Sequence, residues 1–157
     1  DILYPRHWLR MLYVAYQREP EYIHCHRAHL MQYGDTGKVL PYGQWGFEAN
    51  GYVNASFDVF PTGVGGVLYA PGHLHQEVLN ENAFLSLCPK ADDVWLKAMS
   101  LMANVACKKI SATTFPMINI CIPNNVALSS DNLVRDYNDP QIKAVATRYG
   151  VFSQKNG

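Results

Sequence analysis

At 157 residues, with thirteen Lys plus Arg balanced by thirteen Asp plus Glu, the chain has the length of one domain, 1–157, and no net charge. That length suffices for a sizeable core, and the balance leaves no electrostatic footprint for a nucleic-acid backbone or an anionic surface. The apolar segments are short and broken by His, Asn, Gly or Pro, so none approaches the ~20 residues that span a bilayer.

In chain order, Tyr4-Pro5 opens a helix predicted over 5–18, with Trp8, Leu9, Met11, Leu12 and Ala15 at helical spacing and Pro20 as its stop. Residues 21–31 are richer in strand formers, and Gly34-Asp35-Thr36-Gly37 marks a turn after them. Between 41 and 56 the aromatics Tyr42, Trp45, Phe47 and Tyr52 alternate with Gly and Asn without a period, the mark of a structured loop, and such loops often carry function. A strand with a glycine-marked irregularity is predicted over 57–69, then a turn at 71–75 and a short helix over 77–87. Asp92 and Asp93 open a helix that ends near Asn104, apolar over so wide an arc that it must be buried. A strand over 105–110, an irregular stretch at 115–120, a polar loop at 124–132 and a last helix over 140–149, capped by Gly150, complete the reading.

Adjacent carboxylates at a helix start have two explanations. Asp92 caps the first turn while Asp93 meets the positive end of the dipole, which keeps both ionised; or the pair does acid–base work. Phe60-Pro61-Thr62-Gly63-Val64-Gly65-Gly66-Val67-Leu68-Tyr69-Ala70-Pro71, upstream, favours the second, because glycines within a strand signal close backbone approach or a bulge. Trp45 and Trp95 offer flat apolar faces suited to a sugar ring, although core packing suits Trp95 better.

FPTGVGGVLYAP and ADDVWLKAM together resemble the second half of bacterial GT-A-fold, family-2-like glycosyltransferases. The opening Asp1-Ile2-Leu3-Tyr4-Pro5-Arg6-His7-Trp8-Leu9 is similar to the stretch that follows their metal-binding acidic motif. The resemblance implies an α/β fold, a partial GT-A-like mixed sheet flanked by helices, and a chain that starts after the nucleotide-binding half. It implies transfer of a sugar from a nucleotide-sugar donor to a glycan or lipid-linked acceptor hydroxyl, of the inverting type, in bacterial surface polysaccharide synthesis. By the same resemblance Asp93 is the general base and Asp92 its support, Gly65 and Gly66 let a sugar approach the backbone, and Asp1 helps hold Mn²⁺ or Mg²⁺. Without the donor half, this fragment alone is expected to be inactive and to bind the metal poorly. A transmembrane segment is not expected, and peripheral membrane association of the parent stays open.

Two other readings stand beside it. A noncatalytic carbohydrate-binding fragment needs only the aromatic and glycine features. A metal-binding protein would draw on the clusters His24-Cys25-His26 with His29 and His73-Leu74-His75: on a strand His24 and His26 share a face while Cys25 points away, and His73 with His75 would complete a four-nitrogen site; against it, the spacing matches no structural zinc pattern and no second-shell carboxylate is evident. The cysteines Cys25, Cys88, Cys107 and Cys121 lack CxxC spacing and read as reduced, buried thiols of a cytoplasmic protein, while their even number also permits two disulfides.

Overall fold

The computed structural model describes residues 2–113, 118–119 and 137–154, so Asp1, Cys121, the whole of the loop expected at 124–132 and most of the stretch at 115–120 lie outside the described residues. The chain is a mixed α/β fold. Strands β1 (Ile2–Leu3), β2 (Ile23–Cys25), β3 (Ala28–Leu30), β4 (Val59–Pro61), β5 (Val67–Leu68), β6 (Cys107–Lys109) and β7 (Ile118–Asn119) are short, and helices α1 (Trp8–Arg18), α2 (Glu81–Leu87), α3 (Asp92–Met102) and α4 (Asn138–Tyr149) pack around them. β1 pairs with β7, β3 with β4, and β2 lies between antiparallel β5 and parallel β6.

The strand expected over 57–69 is two strands, and so is the one expected over 21–31. Their halves pair with each other: Cys25 stands opposite Val67 and Ala28 opposite Pro61. Between those pairs one side has His26 and Arg27 while the other has Thr62 to Gly66, so the ribbon carries a three-residue excess at this point. Gly63–Gly65 absorbs it as a single 3₁₀ turn, and Gly66 leaves the turn at φ 91°. This is an enlarged bulge, and bulges bend the strand and re-aim side chains. Thr62 N–H donates to Arg27 O (3.1 Å) and His26 N–H to Gly66 O (3.2 Å), which closes the ribbon on both sides of the insertion. The glycine-marked irregularity expected in 57–69 is thus a break between β4 and β5, and β5 is an edge of the three-stranded sheet.

The helices follow the apolar periodicity more closely. α1 begins at Trp8 rather than at residue 5, with the Trp8 N–H on Pro5 O (3.0 Å). The helix expected over 77–87 is a 3₁₀ turn at Gln76–Leu79 followed by α2, divided at Asn80, whose side-chain oxygen accepts the Ala83 N–H (3.0 Å) and caps the second piece. α3 buries Val94, Trp95, Ala98 and Met99 against Phe60, Trp45 and the Ile142 and Val145 side chains of α4. Each large apolar side chain so buried contributes roughly 1.5–3 kcal/mol relative to exposure. Gly150, at φ 66°, ends α4 in the left-handed conformation that glycine adopts without a Cβ penalty. A second apolar cluster is formed by the strand residues Ile23, Cys25, Ala28, Val59 and Cys107. Among the described residues Cys25, Cys88 and Cys107 are buried free thiols, and no helix is long and apolar enough to cross a membrane.

Candidate functional site

The bulge and the start of α3 meet. Gly63 N–H donates to Asp93 Oδ1 at 2.8 Å, and a Cβ on Gly63 would sit 2.8 Å from the same oxygen, too close for a side chain. A side chain at position 63 would have to displace this carboxylate. Neither Asp caps its own helix as the sequence suggests: the cap position is Ala91, which makes no side-chain bond, and exposed Asp92 accepts only the Asp93 N–H, at 3.1 Å.

Both carboxylates were expected to be held ionised by the helix dipole, but burial outweighs it at Asp93. Its carboxyl is pushed up to about 6, first by burial and then by the Asp92 charge, against the opposing pull of the Gly63 N–H and the Arg27 guanidinium. At neutral pH the group is still mostly ionised, yet close to the value at which a carboxyl takes and returns protons readily. Tyr42 feels the same charge: burial, and then Asp93, push its phenol up to about 12.

Arg27, at the bend opposite the glycines, is the cation of this site. Its Nε donates to Glu48 Oε1 (2.6 Å) and its Nη1 to Thr62 Oγ1 (3.2 Å). Glu48 comes from the aromatic loop, where its backbone N–H donates to His29 Nδ1 (3.0 Å), so that imidazole carries its proton on Nε2. Burial, reinforced by the Arg27 charge, lowers His29 to about 4 and keeps it neutral. The loop is lined by Tyr42 and Phe47, whose rings meet edge to face at 5.6 Å.

Other expected site residues are placed differently. The close approach permitted by Gly65 and Gly66 is taken up by the chain itself. A Cβ on Gly65 would overlap Arg27, one on Gly66 would overlap the Trp8 ring, and Trp8 Nε1 donates to Gly65 O (2.9 Å). Their role is the structural bulge, not a gap held open for a sugar. Trp45 is 4% exposed and Trp95 3%, with their indole N–H groups on Leu40 O (2.8 Å) and Val78 O (3.2 Å), so neither presents a face to a ligand.

The histidine clusters do not converge on an ion. His24 Nε2 donates to Glu19 O, His26 Nε2 to Trp8 O and His73 Nε2 to Pro20 O, at 2.8 to 3.0 Å, while His75 accepts from Glu77 N–H. No group of three or more His, Cys, Asp or Glu among the described residues is arranged to hold a metal. Asp1, the residue to which the resemblance assigns Mn²⁺ or Mg²⁺, lies outside the described residues. A shallow groove of about 410 Å³ along α1, lined by His7, Arg10, Met11 and Arg18 among others, shares no residue with the Asp93 surface.

Arg27 and Glu48 escaped the sequence reading. A signal for Glu48 existed, since it is the one charged residue in 41–56. Arg27 had none, because its importance comes from standing opposite an insertion on another strand.

Compared with family models, curated proteins and solved structures, the chain matches none.

Proposed function

We propose that this chain carries the acceptor-side catalytic carboxylate of a nucleotide-sugar-dependent glycosyltransferase of the inverting type, with Asp93 as general base. The observation that supports this reading is the 2.8 Å bond between Asp93 and Gly63. It joins the two segments, GVGG and ADD, on which the resemblance to GT-A enzymes rests. An acid whose burial raises its proton affinity, fixed by one backbone N–H and flanked by an arginine, suits proton abstraction.

In the proposed step an acceptor hydroxyl lies against Asp93 Oδ2, with Oδ1 held by Gly63. The hydroxyl oxygen bonds to the anomeric carbon as the bond from that carbon to the leaving diphosphate breaks, and the hydroxyl proton passes to Oδ2. Arg27 limits the rise in proton affinity, so the carboxylate is charged at neutral pH when the acceptor arrives. The free, buried state of the three described cysteines supports a reducing, cytoplasmic setting.

Nucleotide-sugar transfer by the intact protein and its Asp93→Asn variant tests the assignment. A fall in kcat of about 10²–10⁴-fold with donor binding intact is expected. Full activity in a folded Asp93→Asn protein would remove the base from Asp93.

A further inference from the structure

The turn at Phe47–Ala49 is held with more force than a surface loop needs. Glu48 and Ala49 stand in succession at φ 63° and 40°, a conformation L residues rarely adopt. Lys109, 1% exposed, directs its ammonium at this turn, donating to Glu48 O (2.6 Å) and Ala49 O (3.2 Å). Buried His29 takes the Glu48 N–H. A buried cation and a buried imidazole thus fix one backbone unit, and strained units held in this way cluster at functional sites.

What the turn presents is a charged pair and a ring. The Glu48 and Arg27 side chains, joined at 2.6 Å, remain 32% and 25% exposed. Beside them Phe47 is 40% exposed, and its ring is set edge to face by His29 at 4.7 Å and Tyr42 at 5.6 Å. Arg27 Nη1 donates to Thr62 Oγ1 (3.2 Å) and the next residue, Gly63, donates to Asp93 Oδ1 (2.8 Å), so this surface borders the proposed base.

We propose that Glu48, Arg27 and Phe47 form a subsite for the pyranose ring of a neutral sugar acceptor, a subsite that rests on the reading of Asp93 as a transferase base. Glu48 accepts hydrogen bonds from ring hydroxyls, Arg27 donates to a hydroxyl oxygen, and Phe47 lies against the C–H face of the ring. Glu48 and Arg27 neutralise each other within their pair, which suits a polyhydroxylated neutral ligand better than a phosphate. Lys109 is a positioning residue: it touches no ligand and acts through the backbone of Glu48.

Saturation-transfer NMR of the intact protein with methyl glycosides of glucose, galactose, mannose and N-acetylglucosamine tests the subsite. At least one should bind in roughly the millimolar range. Glu48→Gln and Phe47→Leu, each checked for folding by its amide spectrum, should weaken that glycoside about tenfold or more. No binding by wild type, or equal binding in both Glu48→Gln and Phe47→Leu, would overturn the subsite. Glycoside binding that depends on Glu48 and Phe47 in a protein whose nucleotide-sugar transfer ignores Asp93→Asn would uphold the subsite and overturn the transferase reading instead.

Discussion

Two regions of this molecule collect groups capable of chemistry, and only one arranges them toward each other. Around the bulge, Asp93, Arg27 and Glu48 act on one another beside a glycine turn and a left-handed turn. Elsewhere, His24, His26 and His73 each spend a ring nitrogen on a main-chain carbonyl, of Glu19, Trp8 and Pro20 respectively. The difference lies in the partner: a histidine bonded to a carbonyl is a structural brace, whereas a buried carboxyl near an arginine and a second acid stays chemically poised.

Trp8 joins the two regions. Its ring stacks on His26 at 5.5 Å and fills the space above Gly66, so the contrast breaks most severely there. Gly66→Ala would force a Cβ into the indole at a φ of 91°. A loss of about 3 kcal/mol or more is expected, read as a lowered urea midpoint. A stable Gly66→Ala protein would mean the bulge is not fixed by this contact.

Replacing a brace should cost stability alone. His73→Leu removes the bond to Pro20 O and leaves the Ala70 N–H unmatched, for a loss of about 1–3 kcal/mol in chemical denaturation. Transfer per folded molecule should be unchanged. A specific loss of activity would return the histidines to the chemistry.

At Asp93 the sign is opposite. Its folded proton affinity is raised from 3.8 to about 6, so the stability this group supports is fully present below its unfolded value and is lost as the pH rises through about 6. Asp93→Asn should match wild type near pH 4 and exceed it at pH 8 by on the order of 1–2 kcal/mol, in denaturation curves measured at both values. A variant less stable at pH 8 would show that the ionised carboxylate is favourably held. Stability given up for a charged group is what an active site accepts and a brace does not.

The sequence discloses the helices of this fold better than its sheets, for a physical reason. In α3 and α4 the apolar spacing is local, and Gly150 marks the end of α4 unaided. The ribbon of β2, β3, β4 and β5 depends on two segments some thirty to forty positions apart bending at the same level. Glycines 63, 65 and 66 disclosed an irregularity on one segment; nothing around Arg27 disclosed its counterpart. The site divides likewise. Asp93 and the glycine run were legible as motifs, while Glu48 became a neighbour only through Lys109, His29 and Arg27. The two tryptophans misled because a large ring suits a core as well as a sugar, and tertiary packing claimed both.

The most direct test of the account is the titration of the Asp93 carboxyl, followed by carbon NMR in wild type and in Asp92→Asn. The account predicts a midpoint near 6 that moves down when the Asp92 charge is removed. A midpoint at or below the ordinary value of 3.8, unmoved by Asp92→Asn, would contradict it.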